Sequence, residues 1–73
     1  MKKSDEFDKF FKKVVINIKK ARMSKGLTQE DMLKFGFNYR HYQKLESGKH
    51  SPNLETLFRL AQALECSVFY FLK

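Results

Sequence analysis

The sequence predicts an all-α protein, a compact five-helix bundle that forms a single domain over residues 1–73. Apolar residues recur at every third or fourth position, which is the repeat of one helix face. Residues that end helices are spaced along the chain at Gly26, Gly36, Gly48 and Pro52. Residues that favour helix N-termini follow these breaks, at Thr28, Asn38, Asn53 and Ser67. Together these boundaries divide the chain into five helical segments.

The first helix is the longest, and an acidic first turn favours its start. Ser4 can cap this helix, and Asp5 and Glu6 then lie at its positive end, where negative charge is stabilising. Lys25 and Gly26 close the helix. Its predicted buried stripe consists of Phe7, Phe10 or Phe11, Val14, Ile18 and Ala21.

Residues 28–48 are predicted to form two short helices joined by a tight turn. The Thr28 hydroxyl can accept a hydrogen bond from the amide of Asp31, whose carboxylate lies in the first turn of the second helix. Gly36 ends this helix, because glycine enters left-handed backbone at little cost. The apolar side of the second helix is supplied by Met32, Leu33 and Phe35.

The third helix, at about residues 39–47, has one apolar and one polar face. Asn38 caps this helix, Tyr42 and Leu45 form its buried side, and Gly48 ends it. The polar face presents Tyr39, Arg40, His41, Gln43 and Lys44.

Two further helices follow the loop at residues 49–52, which Pro52 keeps non-helical. The fourth helix is capped by Asn53 and is expected to bury Leu54, Leu57, Leu60, Ala61 and Leu64. Ser67 caps a short fifth helix, whose expected core residues are Val68, Phe71 and Leu72. The single cysteine, Cys66, cannot form an internal disulfide, and we expect it to be a small buried residue.

The formal net charge of +7 is unevenly distributed. Acidic and basic residues nearly balance over residues 1–8 and balance over residues 50–73, so the excess lies between Lys9 and Lys49. A basic zone of this kind suits a polyanion. The alternative is a solubilising, lysine-rich face. The position of the charge around the two-helix segment favours nucleic acid.

Four short motifs occur in order along the chain: GLTQED at 26–31, LESGK at 45–49, PNLETL at 52–57 and LAQAL at 60–64. Each motif is weak alone, but their order and spacing resemble the Xre family, which includes Cro and the lambdoid phage repressors. The resemblance covers about residues 14–72. It implies a lambda-repressor-like DNA-binding domain whose helix-turn-helix is residues 28–48.

The resemblance implies that the third helix enters the major groove of DNA as the recognition helix. Tyr39, Arg40 and Lys44 match the base-reading positions of the family, and His41 and Gln43 flank them. Arg40 can donate two hydrogen bonds to guanine O6 and N7. For Tyr39 two interpretations stay open: contact with a thymine methyl or a phosphate, or packing against the preceding turn.

The resemblance also implies phosphate contacts and one structural ion pair. Gln29, at the start of the second helix, matches a residue that binds a DNA phosphate. Lys49 and His50 follow the recognition helix and are placed for backbone contacts. Arg22 and Glu46 match a salt bridge that joins the first helix to the end of the third.

The chain departs from the family pattern within the motif and at both ends. One residue fewer precedes Gly36, and Leu33 replaces a small residue, which adds volume where the two helices cross. Residues 1–13 lengthen the first helix, and we expect this extension to pack on the C-terminal helix or on a partner chain. Phe69 and Tyr70 stand at usually polar positions, where they form a dimer interface or cover the extension.

We therefore expect a sequence-specific regulator of bacterial or phage transcription, with repression as its mode, that binds double-stranded DNA as a homodimer. The alternative is a helix-turn-helix protein-interaction module, such as an antitoxin or a restriction–modification controller that acts with a partner. His41 and His50 lack metal-ligand spacing, and no enzyme motif is present. We expect no enzymatic activity, metal, cofactor, small-molecule ligand or membrane association, and a cytoplasmic location.

Overall fold

Capping residues and left-handed glycines divide the chain into helices close to the predicted boundaries. The computed structural model describes residues 3–73, with side chains from Asp5 onward. In chain order the elements are α1 (Lys3–Ser24), a 3₁₀ helix (Glu30–Phe35), α2 (Tyr39–Glu46), α3 (Leu54–Ala63) and α4 (Val68–Phe71). Over residues 3–73 the structure contains helices and no strand. The predicted all-α, five-helix fold is confirmed.

The predicted caps of the last three helices are confirmed by their hydrogen bonds. The side chains of Asn38 and Asn53 each accept a hydrogen bond from the amide three residues later, at 2.9 and 2.7 Å. The Ser67 hydroxyl accepts from the amide two residues later, at 3.1 Å. These bonds satisfy amides that have no partner within the helix. The cap expected at Ser4 concerns a side chain outside the described residues.

The second helix is a 3₁₀ helix of six residues, entered through a reciprocal cap. The Thr28 hydroxyl accepts from the Asp31 amide at 3.1 Å, and the Asp31 carboxylate accepts from the Thr28 amide at 2.8 Å. Gly36 ends the helix at φ 87°. A 3₁₀ helix rises about 2.0 Å per residue against 1.5 Å in an α-helix, so a shorter segment covers the same distance.

The expectation that Leu33 fills the helix crossing is wrong. Leu33 is 50% exposed and Phe35 is 40% exposed, whereas Met32 is fully buried. With three residues per turn, the side chain next to Met32 projects about 120° away from it. Met32 is therefore the residue through which the 3₁₀ helix contacts the core.

The core lies where α1, the 3₁₀ helix, α2 and the two C-terminal helices meet. Tyr42 and Leu45 bury one face of α2, as predicted. The Asn17 side-chain amide donates to the carbonyl of Phe71 at 3.1 Å and ties α1 to α4. The buried cluster consists of Val14, Ile18, Ala21, Met32, Phe37, Tyr42, Leu45, Leu60, Ala61, Leu64 and Phe71.

Several residues predicted to be buried lie at the edge of this core. Phe7 and Phe10 are 50% and 46% exposed, since they occupy turns of α1 that precede Val14, where the core begins. Leu54 begins α3 and is 80% exposed, and Leu72 follows α4 and is 38% exposed. Cys66 is only partly buried. Phe7, Phe10 and Leu54 lie on the end turns of their helices, beyond the elements that cover the core, and Cys66 and Leu72 lie outside the helices.

Candidate nucleic-acid interface

Helix α2 exposes the polar face that the sequence predicted. Because Tyr42 and Leu45 are each only 1% exposed, the 3.6-residue repeat turns Arg40, Gln43 and Lys44 towards solvent. The remaining two candidate base-reading residues, Tyr39 and His41, lie in the first turn and are also exposed. The five side chains therefore form one accessible surface on the first turn and the exposed face of α2.

A basic groove runs along this surface. Three elements contribute to it: α2, the start of the 3₁₀ helix and α1. Two further lining residues, Ser47 and Lys49, follow the end of α2. Its cationic lining residues are Lys19, Arg40, Lys44 and Lys49. The other lining residues are Gln29, Gln43, Glu46 and Ser47.

Sequence reasoning missed Lys19, which brings a positive charge from α1 to this groove. Lys19 lies three residues before Arg22, and residues at this spacing share one side of a helix. Because Arg22 was predicted to contact Glu46 at the end of the recognition helix, the same spacing could have predicted that Lys19 also faces that helix.

One carboxylate, that of Glu46, joins α1, the 3₁₀ helix and α2. Arg22 donates to it twice, from Nε at 2.7 Å and from Nη2 at 3.0 Å. The Tyr42 hydroxyl and the Gln29 side-chain amide also donate to it, the latter at 3.0 Å. Arg22 uses Nη1 to donate to the carbonyl of Leu27 at 2.6 Å. This network holds the end of α2 against α1 and against the residues that lead into the 3₁₀ helix.

The network shifts the titration of its members. Burial alone would raise the pKa of Glu46, but hydrogen bonds from Arg22, Tyr42 and Gln29 outweigh it and lower the pKa below its usual value. The hydrogen bond to Glu46 raises the pKa of Arg22. Burial, reinforced by Glu46, raises the pKa of Tyr42. Glu46 thus stays ionised, and the charge of Arg22 balances it beside the groove.

The three predicted phosphate-binding residues occupy different situations. Gln29 lines the groove, and its side-chain amide donates a hydrogen bond to the Glu46 carboxylate. Lys49 lines the same groove and is exposed. His50 stacks on His41 with ring centroids 5.1 Å apart and planes inclined by 26°. The loop after α2 therefore folds back over the exposed face of that helix.

Tyr39 belongs to the exposed surface. Its hydroxyl accepts a hydrogen bond from Gln43 Nε2 at 3.1 Å, and 37% of the residue is exposed. The ring of Phe37 contacts Tyr42, at 5.9 Å between centroids, and the guanidinium of Arg59, at 4.5 Å. Tyr39 and Gln43 thus present a hydrogen-bonded pair on the outer side of α2.

Comparison with known proteins identifies a family whose profile covers this motif. The sequence profile described as Helix-turn-helix matches residues 18–71. The chain belongs to the Xre-type helix-turn-helix family of transcriptional regulators. Within that family, the 3₁₀ helix and α2 are the two helices of the motif, and Gly36 begins the turn between them. The family is one of DNA-binding regulators rather than enzymes.

Three relatives carry names that describe regulators. The chain is 42% identical over 52 residues to the uncharacterized HTH-type transcriptional regulator y4dJ of Sinorhizobium fredii, covering 70% of this chain and 68% of that protein. It is 42% identical over 57 residues to the SPbeta prophage-derived HTH-type regulator YonR of Bacillus subtilis, covering 77% and 53%. It is 38% identical over 58 residues to the HTH-type regulator YqaE of the same organism, covering 78% and 50%.

The matches to YonR and YqaE therefore span about half the length of those proteins. No solved structure gives a significant match to the chain. Across residues 3–73, none of the helices combines the length and the apolar character needed to cross a membrane.

The aromatic residues at the C-terminus differ in exposure. Phe69 is 76% exposed, whereas Tyr70 is partly buried, packs edge-on against Phe71 and carries the Lys73 ammonium 5.9 Å from its ring centroid. Of the two residues considered for a dimer interface, Phe69 offers the larger free apolar surface.

Proposed function

We propose that this Xre-family protein is a sequence-specific transcriptional repressor that binds double-stranded DNA as a homodimer, with α2 in the major groove. The observation that carries the proposal is the basic groove along α2, where Arg40 and Lys44 lie beside Lys19 and Lys49. A helix with one buried and one exposed basic face fits the width of the major groove.

The proposed base contacts follow from the side chains on the exposed face. Arg40 supplies a planar fork of donors that matches guanine O6 and N7, a pair that contributes about 1–3 kcal/mol of discrimination. Lys44 offers a single donor to a guanine or to a phosphate. Tyr39 contacts a thymine methyl or a phosphate, and its hydrogen bond with Gln43 orients both side chains. His41 contacts the edge of the site.

The proposed phosphate contacts surround the groove. Lys49 and His50 follow α2 and reach one strand, while Gln29 and Lys19 reach the backbone on the other side of the groove. Gln29 exchanges its hydrogen bond to Glu46 for one to phosphate or keeps it and uses a second amide hydrogen. Such contacts position the protein and make its affinity depend on salt.

Two copies are needed because one α2 covers a single half-site. In a two-fold dimer the half-site centres lie about 34–36 Å apart, which is one turn of DNA. A protein bound in this way blocks the duplex it covers, which supports repression as the mode of regulation. Phe69 is one candidate for the dimer contact, and Phe69→Glu tests it by sedimentation.

Selection of bound duplexes from a random pool tests the proposal. Wild-type protein is expected to enrich a palindrome with the spacing given above. Arg40→Ala should reduce discrimination at one base pair of each half-site by roughly 5- to 150-fold, from the contribution of a bidentate contact. Lys34→Ala is the matched control, because the Lys34 side chain is 74% exposed on the 3₁₀ helix, lies outside the groove, and forms only an exposed ion pair with Asp31 at 3.7 Å, which contributes little to stability.

A second function, as a module that binds another protein, is favoured by the exposed apolar side chains. Leu54 and Phe69 are 80% and 76% exposed. This reading predicts a tight protein complex and no enriched DNA motif. Unaltered selectivity in Arg40→Ala would exclude direct readout by α2.

A further inference from the structure

We propose that the N-terminal turns of α1 are the dimerisation surface, and that they pair antiparallel with the same turns of a second copy of this chain. The pairing segment is residues 5–13, and its centre lies near Phe10. The inference rests on the proposed dimeric function and specifies the surface that joins the two subunits. Three independent features of the described residues support it.

The first feature is apolar area. Phe7 and Phe11 stack with centroids 5.8 Å apart. They border a shallow apolar groove whose lining residues are Phe7, Phe10, Phe11, Val14, Ser51, Pro52, Leu57 and Leu72. Two further exposed apolar residues lie near Leu57 on α3. Leu54 lies about one turn before it and is 80% exposed, and Phe58 follows it directly and is 55% exposed.

This apolar surface is large enough to form the centre of a dimer interface. If a fully exposed side chain offers about 200 Å², then Phe7, Phe10 and Leu72, which line the groove, present about 270 Å² of apolar surface, and Leu54 and Phe58 on α3 present about as much again. A stable interface buries roughly 800 Å² on each partner, of which somewhat more than half is apolar. The apolar requirement is therefore met by an interface that extends from this groove onto Leu54 and Phe58 of α3.

The second feature is the charge pattern along α1, which is complementary to itself in the antiparallel sense. Glu6 and Lys13 are seven residues apart and share one flank of the helix, beside Phe10. A two-fold axis brings each flank against the same flank of the partner, running in the opposite direction.

An axis between Lys9 and Phe10 therefore places Glu6 opposite the partner's Lys13, and Lys13 opposite the partner's Glu6. In a parallel pair this flank would face the other flank of the partner, and these opposite charges would not meet.

The third feature is the distance from this axis to the DNA-binding groove. Lys19 lines the groove and Arg22 contacts the end of α2, so these residues mark its position along α1. They lie nine and twelve residues beyond Phe10, or about 14 and 18 Å at 1.5 Å per residue. Doubling gives about 27–36 Å between the two grooves along the α1 axis, a range that includes one turn of DNA.

The direction of the groove is also compatible with this arrangement. Lys19 follows Phe11 by eight residues, which turns it about 80° around α1 from Phe11, at the edge of the apolar stripe. A two-fold axis that passes between antiparallel helices keeps such flanking faces on the same side of the dimer. Both copies of α2 can then address one duplex.

Sedimentation of the full chain over a concentration series tests this pairing. Phe10→Glu is expected to raise the monomer–dimer Kd about a hundredfold or more, because it places two charges at the centre of the interface. Phe35→Glu is the matched control, since Phe35 has similar exposure (40% against 46%) but lies on the 3₁₀ helix. It should leave the Kd unchanged.

Charge reversal provides a test that does not depend on an apolar substitution. Glu6→Lys and Lys13→Glu should each weaken the dimer about tenfold, because each creates two like-charge contacts across the axis. The double variant restores the opposite charges and should recover the wild-type Kd to within about threefold. Glu6 and Lys13 are two turns apart within one helix, so recovery requires contact between copies.

Three results would overturn the inference: a monomeric wild-type protein, a dimer that tolerates Phe10→Glu, or a double charge reversal without recovery. Dissociation by Phe69→Glu, together with an intact Phe10→Glu dimer, would assign the contact to α4 instead. The proposed DNA-binding function can fail independently of the proposed dimer contact. A protein that dimerises as described but enriches no duplex would retain the pairing and refute sequence-specific DNA binding.

Discussion

Replacement of Glu46 by Gln should destabilise the protein strongly, although the two side chains have the same shape. The Arg22 and Glu46 side chains are only 8% and 2% exposed. Removing one partner of a buried ion pair costs about 3–5 kcal/mol. The amide oxygen can still accept from Tyr42, so we expect a loss of about 2–3 kcal/mol. At about 0.05–0.15 kcal/mol per residue, this is a large share of the stability of a 73-residue domain.

The effect of Glu46→Gln should depend on pH. The folded protein holds the pKa of Glu46 below its ordinary value of 4.5, so it binds fewer protons than the unfolded chain around that pH. The stability that ionised Glu46 contributes is complete above pH 4.5 and is lost as the pH falls through the lower folded-state pKa. The difference in unfolding free energy between wild type and Glu46→Gln should therefore narrow below pH 4.5.

Urea and thermal unfolding, followed by circular dichroism, measure this difference. At neutral pH the Tm of Glu46→Gln should fall by about 10–20 °C, from 4–8 °C per kcal/mol for a domain of this size. Glu55→Gln removes an exposed carboxylate and should change the free energy by no more than about 0.5 kcal/mol. A neutral-pH loss below about 1 kcal/mol in Glu46→Gln, or a difference that stays constant under acid conditions, would refute the reasoning.

Two further predictions concern the turn and the groove. Gly36→Ala should destabilise by about 1–2 kcal/mol, because Gly36 has φ +87° and an added Cβ would lie 3.3 Å from Arg59 Nη2. Gly48 has φ +79° and no atom within 4 Å of an added Cβ. In the same unfolding assay, Gly48→Ala therefore measures the free-energy cost of the left-handed backbone without a steric contact. Lys49→Ala should weaken binding to all duplexes and reduce the slope of log K against log salt by about 0.9 per binding site, whereas Lys34→Ala should leave it unchanged.

The sequence by itself determined the caps and the turns. Thr28, Asn38 and Ser67 cap as predicted because each bond joins residues two or three apart, so local chain geometry decides it. Gly26 and Gly36 both have left-handed backbone, as their positions after helices indicated. The exposed polar face of α2 also followed from periodicity, since Tyr42 and Leu45 identify the opposite, buried side.

Only the tertiary structure decided which apolar faces are covered and which polar groups meet. Periodicity places Leu54 on the same face as Ala61, seven residues later, but only packing shows that one is 80% exposed and the other 6% exposed. The convergence of Tyr42 and Gln29 on Glu46, and the position of Lys19 beside the groove, depend on contacts between distant segments. Helical repeat specifies direction around an axis, whereas burial depends on the neighbouring element that happens to reach that face.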